Sequence, residues 1–381
     1  MKFIHTADWH LGKSLKNQSL IEDQYYILQE FLKLVDAENP DAIVIAGDIY
    51  DRSIPPVDAV KLFDEVIFKI VEKKIPVLCI SGNHDSAARL NFGSRIFERS
   101  KFFIETLPNE NPKNVILNDD FGEVYFSLIP YFTAAEIKNK FALDAEDFDT
   151  GAATKICVEN ARQKIPAGKR SVAVAHLFAT GGVTSESERK NVGTIESVDA
   201  RIFSEYNYTA LGHLHKPQTM KKTGHVVRYS GSLLKYSFDE AGYSKGVTLV
   251  ELDGAGKVTA EHIPLTPRHD VKIVEGTLDE LNQSARTEDY VHANLTNKNH
   301  VLYAMEKLRS GAFPNILSLS FVNLERTGES RTSRAKRTAG ISTLEYFADF
   351  FEHETGERLE GDYRQAMADF LDELDGGDFD G

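Results

Sequence analysis

Cysteine is nearly absent, with Cys79 and Cys157 the two examples in 381 residues. Two thiols cannot build a disulfide framework, so a bridge-stapled secreted scaffold is excluded and a reducing compartment fits. Cys79 stands in the apolar run Ile75–Ile80, the setting of a buried structural thiol. Long hydrophobic runs are also lacking. None approaches the roughly 20 apolar residues that cross a bilayer. The N-terminus turns polar by Asp8, without the apolar stretch of an export signal. The expectation is a cytoplasmic protein with no membrane attachment. A basic excess is missing too: 44 Lys and Arg stand against 58 Asp and Glu, a formal net charge of -14. That argues against a chain that coats itself with nucleic acid. It does not exclude an enzyme that acts on one, because charge works locally and bound metal ions add positive charge that the formula omits. Much of the acidity lies at the end, where Asp369, Asp372, Glu373, Asp375, Asp378 and Asp380 have no basic residue among them.

What is present is bulk and rhythm. Hydrophobic residues make up 41% and charged residues 27% of the chain, ordinary values for a globular protein. The length suggests two or three units. Lys2–Thr6 is a short strand candidate ending at Asp8-Trp9-His10. Ile21, Tyr25, Leu28, Leu32 and Val35 recur at helical spacing, with Pro40 as the stop. Ala42–Ala46 is a continuous apolar run ending at Gly47-Asp48. Val57–Lys73 is helical again, with Val60, Phe63, Ile67 and Ile70 assigned to one face. Val77–Ile80 ends at Gly82-Asn83-His84-Asp85, and Ala87–Arg99 is a further helix candidate. Strand, helix, strand, helix, strand with continuously apolar strands indicates an α/β fold whose parallel sheet is covered on both faces. Ligands of such sheets bind beyond the carboxyl ends of the strands, where each of these polar motifs falls.

Further strand candidates are Val124–Ile129, Ser171–Ala175, Tyr208–Leu211, Val226–Tyr229 and Val247–Leu252. Their glycine turns lean toward an antiparallel arrangement, in a second sheet packed against the first. Pro264 and Pro267 mark a break. Val271–Ser320 then reads as a small α+β unit, Arg326–Gly340 as a linker rich in Arg, Ser, Thr and Gly, and Leu344–Glu354 and Asp362–Leu374 as amphipathic helices. The divisions are 1–265, 266–325, 326–340 and 341–381.

The chemistry-bearing residues follow the strands in order: Asp8 and His10, Asp48, Asn83 and His84, His176, then His213 and His215. Asp8 and His10, like His213 and His215, are one residue apart, so an extended backbone would point each pair to one side. Carboxylates and imidazoles together suit divalent transition metals. Asp48 could bridge two ions, which activate water and stabilise the leaving oxygen of a phosphoester. Asp85 directly follows His84, and a neighbouring carboxylate can orient an imidazole and favour its charged form. An imidazolium suits protonation of a departing alkoxide, so His84 is assigned to acid catalysis with Asp85 beside it. Singly these are turn formers or surface groups; five such segments at strand ends form a site. Trp9, between two ligands, and His5 are expected to be structural.

The ordered set Asp8-x-His10, Gly47-Asp48, Gly82-Asn83-His84-Asp85, His176 and Gly212-His213-x-His215 resembles the calcineurin-like metallophosphoesterase superfamily. Within it, His5–Gly12, Gly193–Glu196, Tyr229–Ser232 and Ser237–Glu240 are similar to the SbcD nucleases. The resemblance implies two packed mixed sheets flanked by helices, followed by a capping unit that binds DNA and terminal helices that grip a partner. It implies Asp8, His10, Asp48 and His215 around one metal ion, Asp48, Asn83, His176 and His213 around the other, and His84 as the catalytic histidine. Asp51 departs from archaeal and eukaryotic relatives, which carry a second non-ligand histidine there. The family implies manganese-dependent exonuclease action on duplex ends and endonuclease action on hairpins or single strands, in DNA repair and recombination. It also implies a homodimer paired with two SbcC-type coiled-coil ATPase subunits. A stand-alone phosphatase or cyclic-nucleotide phosphodiesterase with the same core is the alternative, as is a non-catalytic DNA tether. The segments after the metal core disfavour a small-molecule phosphatase, which has no evident need of them. Phe347 and Phe351, four apart on one helical face, are assigned to partner binding. A self-interface is sought on Val57–Lys73 and Ala87–Arg99.

Overall fold

The computed structural model describes residues 1–109, 112, 114–142, 148–188, 197–221, 223–323, 343–355 and 358–376. In chain order the elements are β1 (Lys2–Thr6), the short hairpin β2 and β3 (Ser14–Leu15 and Gln18–Ser19), α1 (Ile21–Glu38), β4 (Ala42–Ala46), α2 (Val57–Glu72) and β5 (Val77–Ile80). Two short helices, α3 (Ala87–Leu90) and α4 (Ser94–Phe97), precede β6 (Phe102–Glu105), β7 (Val115–Asp119) and β8 (Gly122–Ile129). Then come α5 (Ala134–Lys140), α6 (Thr150–Arg162), β9 (Arg170–His176), β10 (Tyr208–Gly212), β11 (Gln218–Thr219), β12 (Val226–Tyr229), β13 (Gly246–Leu252) and β14 (Val258–Pro264).

These strands form two six-stranded sheets, ordered β14-β13-β1-β4-β5-β6 and β11-β12-β10-β9-β8-β7. Alternation within each central strand explains the layering. In β4, Ala42, Val44 and Ala46 meet the facing sheet, packing with Val124, Phe126, Val172 and Val174. Ile43 and Ile45 turn the other way, onto Leu28, Phe31, Phe63 and Val66 of α1 and α2. In β9, Ala173 and Ala175 meet the α5 and α6 side, among Ile137, Cys157 and Val158. Both faces of each strand are therefore buried, which is why these strands read as unbroken apolar runs.

Four expectations change. The middle strands are mostly parallel: β8, β9, β10 and β12 run together, and antiparallel pairing is confined to the edge strands β7 and β11. Val247–Leu252 returns to the first sheet, antiparallel to Lys2–Thr6. A glycine turn marks where a chain reverses, not which sheet it rejoins. On α2 the core face is Ala59, Leu62, Phe63, Val66, Ile67 and Ile70, while Val60 is exposed. The expected helix Ala87–Arg99 is broken at Gly93, whose φ of +77° carries the chain between α3 and α4.

Contacts divide the chain into two compact units, Met1–Asn297 with Val301–Val322, and Lys298–His300 with Asn323–Gly381. The first therefore includes the expected capping segment apart from Lys298–His300 and its last residues from Asn323. That segment is a parallel sheet of β15 (Val271–Gly276), β16 (Tyr290–Leu295) and β17 (Ile316–Phe321), with helices Leu278–Asn282 and Ala304–Ser310 over a core of Val291, Ala293, Leu295 and Leu308. Asp23 of α1 ties it down, its carboxylate oxygens lying 2.8 Å from His269 Nδ1 and 2.7 Å from the Tyr290 hydroxyl. The second unit contains helices Thr343–Thr355 and Gly361–Gly376, with the Phe347 ring 6.4 Å and 6.5 Å from those of Phe350 and Phe351. The expected linker, the Gly193–Glu196 motif and the tail beyond 376 lie outside the described residues. Among the described residues no helix is long and apolar enough to cross a membrane.

Candidate metal centre

The parallel cores of both sheets present their carboxyl ends to one edge of the sandwich, and every expected ligand leaves from such an end. Asp8 and His10 follow β1, Asp48 follows β4, Asn83 and His84 follow β5, His176 ends β9, and His213 and His215 follow β10. The β1 and β4 loops stay paired beyond their strands, with Asp8 N–H donating to Gly47 O, His10 to Asp48 O and Leu11 to Ile49 O.

The ligand pairs are not extended, in contrast to what sequence spacing alone suggests. Asp8, His10, Asp48 and His213 take φ values of +54°, +44°, +50° and +110°, conformations that L residues with side chains seldom adopt and that gather at functional sites. Trp9 between the ligands is fully buried, its indole N–H donating to Thr6 Oγ1 at 2.8 Å and its ring edge-on to Phe31 and Phe63. It is structural, as expected. Close approach also dictates the glycine before His213: a Cβ on Gly212 would lie 1.9 Å from Ala46 O.

The side chains converge. Two groups have donor atoms all within 4.8 Å of one another, His10 with Asp48 and His84, and Asp48 with His176 and His213. Asp48 belongs to both. Its Oδ2 lies 3.6 Å from His10 Nε2 and 3.4 Å from His176 Nε2. Asn83 Oδ1 lies 2.9 Å from His176 Nε2 and 3.0 Å from His213 Nδ1. His215 Nε2 faces His10 Nε2 at 3.0 Å. Asp8 Oδ1 accepts the His213 backbone N–H at 2.9 Å.

Burial sets the electrostatics. It pushes the Asp8 carboxyl up to about 7 against the pull of His176 and His215. It also carries His10 well below the imidazole range, with Lys13 adding to the effect, and His213 down to about 3, with His176 adding. Asp48 resists the same burial because the imidazoles of His176, His10 and His84 together hold it well below the carboxylate range. In His176 burial is outweighed by Asp48 and Asp8, which raise it to about 9.

A metal fits this set by a test internal to the structure. Among the described residues Asp8 Oδ2 is buried and has no hydrogen-bond partner. Buried polar atoms are nearly always satisfied, and an orphaned carboxylate oxygen beside the converging nitrogens His10 Nε2, His215 Nε2, His176 Nε2 and His213 Nδ1 is what a divalent cation would complete.

His84 and Asp85 part company. The His84 ring stands at 90° to His10, with centroids 4.8 Å apart, but its Nδ1 lies 2.8 Å from the backbone carbonyl of Asp51. The Asp85 carboxylate accepts the N–H groups of Ile49, Tyr50 and Gly82 at 3.1, 2.9 and 2.9 Å. The orienting contact assigned to Asp85 is thus made at Nδ1 by a peptide carbonyl, and Asp85 splices the β4 and β5 loops. Sequence adjacency misled here because successive side chains leave the backbone in different directions.

Sequence reasoning missed the layer behind the ligands. Glu240, fully buried, accepts from Ser187, Ser237 and Ser185 at 2.6, 2.9 and 3.1 Å and lies 3.3 Å from His215 Nδ1. Lys245 Nζ stands 2.6 Å from its other oxygen and donates to His215 O at 2.7 Å. Glu188 accepts the His215 backbone N–H. Gln24 donates to His10 O at 2.7 Å and accepts from Gly12 N–H at 2.9 Å. Glu240 falls in the Ser237–Glu240 motif, the one signal that pointed to it; Gln24 carried none.

Residues 1–217 match the family described as Calcineurin-like phosphoesterase, and residues 267–355 match the one described as Type 5 capsule protein repressor C-terminal domain. The chain is 37% identical over 365 residues to the SbcD subunit of the SbcCD nuclease of Staphylococcus epidermidis, covering 94% of this chain and 95% of that one. It belongs to the calcineurin-like phosphoesterases, in their SbcD group. The SbcD subunit of the same nuclease from Staphylococcus saprophyticus is 38% identical over 368 residues, with 94% of each chain covered. As a calcineurin-like phosphoesterase the chain is a hydrolytic, metal-binding enzyme, and every candidate ligand lies within the 1–217 match.

Proposed function

We propose that the chain is a DNA nuclease of the SbcD type. It takes two divalent ions, manganese by preference, and cuts duplex ends and hairpin or single strands together with an SbcC-type coiled-coil ATPase. The observation that carries this is Asp48, one carboxylate shared by two donor groups at the joined carboxyl ends of two sheets. Asp8, His10, Asp48 and His215 would hold one ion, and Asp48, Asn83, His176 and His213 the other. When bound, the ions supply Lewis acidity that activates water and draws charge from the phosphoryl oxygens.

The chain's own residues do the rest. With Nδ1 held on the Asp51 carbonyl, His84 exchanges its proton at Nε2, and it serves as the acid for the departing sugar oxygen. Glu240 fixes the His215 ring from behind, as hydrogen-bonded partners of metal-ligating histidines do, and Gln24 holds His10 through its backbone carbonyl. Exposed Val57 and Val60 on α2, and Phe92 and Ile96 around α4, support a self-interface and hence a homodimer within a heterotetramer. The length shared with its SbcCD relatives supports the ATPase partner, with the terminal helices and Phe347 and Phe351 as its docking face and 266–325 as the DNA-binding cap. A cytoplasmic location accords with the low cysteine content.

The test is manganese-dependent cleavage of a labelled duplex and a DNA hairpin by the wild type, His84→Ala and Asp48→Ala, with a small phosphomonoester as a second substrate. DNA cleavage lost in both variants is expected. Turnover of the monoester alone, with DNA intact even after the ATPase is added, would overturn the nuclease proposal in favour of a phosphatase.

A further inference from the structure

A cavity of about 230 Å³ opens directly beside the metal centre, between the segment after β8, the start of α6 and the end of β9. His176 belongs to both places: its Nε2 faces Asp48 and Asn83, while the residue also forms part of the cavity wall. Tyr131 and Phe178 line the cavity with Phe132 and Leu177. The Tyr131 ring stands edge-on to His176 at 6.2 Å, and that of Phe178 lies 6.3 Å from His213. Among the described residues no Asp, Glu, Lys or Arg lines it; their polar side chains there are threonines, tyrosine and the shared histidine.

We propose that this cavity receives the nucleobase adjoining the scissile phosphodiester. The inference rests on the nuclease function proposed above and adds a substrate subsite to it. A phosphate would find no lysine or arginine among the described lining residues. The hydroxyls of Thr133 and Thr154 are already engaged, on Glu136 and on Thr150 O, so recognition falls to the rings of Tyr131, Phe132 and Phe178, whose walls match a planar ring. Its position follows from covalent geometry, since a base joined to a phosphate held at the metal centre can only lie a few ångströms away, and His176 bridges that interval. Stacking on aromatic walls accepts any base, which suits cleavage without sequence preference. The cavity has room for one base and not for a pair, so the base must leave the helix to enter, as it does where enzymes act on a base drawn out of the stack. This favours frayed ends and hairpin loops over paired interior positions. The comparable cavity of about 210 Å³ at the joint with β15 and β16 is lined by Asp23, Lys235, Lys245 and Asp270 and lacks that character.

The experiment uses a labelled single strand with one mapped cleavage position, intact or carrying an abasic nucleotide on one side or the other of that bond. The full-length wild type, Tyr131→Ala and Phe178→Ala are compared in manganese, with methyl p-nitrophenyl phosphate as a base-free phosphodiester. On the intact strand each variant should lose about tenfold in kcat/KM, the scale of one stacked base. The abasic strand should cost the wild type about the same on one side of the bond, and should cost the variants little more, because the same contact is already gone. The loss should be confined to substrates that bear the base. Losses that multiply, indifference of the wild type to the missing base, or an equal loss on the base-free diester would overturn the subsite while leaving the nuclease intact. Failure of the wild type to cut any DNA while hydrolysing the diester would instead overturn the nuclease function, and the subsite with it.

Discussion

Replacing Glu240 by Gln isolates the layer behind the ligands. The substitution keeps the volume and one acceptor but removes the negative charge from a site with no solvent exposure. Burial alone would raise the Glu240 carboxyl, yet Lys245 and His215 together hold it well below the usual range. Without it, the Lys245 ammonium keeps only neutral acceptors, His215 O at 2.7 Å and Ser232 Oγ at 2.8 Å. Breaking a buried ion pair on one side costs about 3–5 kcal/mol. At about 2–4 °C per kcal/mol for a domain of this order of size, the melting temperature should fall by about 10 °C. Orientation of His215 is lost as well, and removing such a partner weakens metal binding by about 10–100-fold. Calorimetry in chelator reads the first effect, and manganese titration followed by isothermal calorimetry reads the second. Glu240→Gln combined with Lys245→Met removes both charges and should recover much of the stability while leaving metal binding weak. A Glu240→Gln protein that melts and binds manganese like the wild type would refute the reasoning.

Three further outcomes follow from contacts in the same unit. Gln24→Leu leaves His10 O and Gly12 N–H without their buried partner; it should cost about 2 kcal/mol and raise the manganese concentration needed for half-maximal activity, read by urea melts and metal titration. Asp85→Ala strips the acceptor from Ile49, Tyr50 and Gly82 N–H; it should destabilise the fold by about 2–4 kcal/mol, and Asp85→Asn should recover part of that, measured by thermal unfolding. Asp119 is held well below the ordinary carboxylate range by the Arg170 guanidinium, which donates to it at 2.8 Å, against the effect of burial and with help from the N-terminal amine. A depressed folded value contributes stability that is full above the unfolded pKa of about 3.9 and is lost as pH falls through the folded value. The stability gap between wild type and Asp119→Asn should therefore be constant from pH 7 to 5 and shrink below about pH 4, in urea melts at each pH.

The sequence was most informative where one physical cause acts alone. Ala42–Ala46 throughout, and Ser171–Ala175 after its first residue, are apolar because both faces of their strands are covered, and both were legible as strands with a polar motif at the end. The direction of Val226–Tyr229 was not legible, because its partner, Tyr208–Leu211, is chosen by packing between segments that no local pattern records. The face of α2 was misjudged at Val60 for a similar reason: an apolar residue on a helix can be exposed, and on this helix exposure supports a second surface. The candidate ligands could be named because carboxylates and imidazoles stood at strand ends. The support for those ligands was not, because Gln24 and Lys245 look in sequence like any polar residue of a helix or turn.

The backbone at the centre accounts for the difference between what could be read and what could not. Four of the expected ligands occupy positive φ, at Asp8, His10, Asp48 and His213, each at a cost of order 1–3 kcal/mol for a residue with a side chain. Nothing in a strand-end motif reveals that cost, and it persists only where surrounding structure over-determines it. Here the surroundings do so: the β1 and β4 loops are bonded to each other by three backbone N–H groups, the β4 and β5 loops are spliced by Asp85, and Gly212 lets β10 approach Ala46. The strain aims two carboxylates and two imidazoles into one space where, among the described residues, Asp8 Oδ2 remains unsatisfied. A divalent ion bound there would satisfy that oxygen and offset the strain, so manganese should raise the melting temperature of the wild type, by about 2.7 kcal/mol of stabilisation at 100 times the dissociation constant, and do far less for Asp48→Ala. Equal stabilisation of the two by manganese would mean that the strained ligands serve something other than a metal.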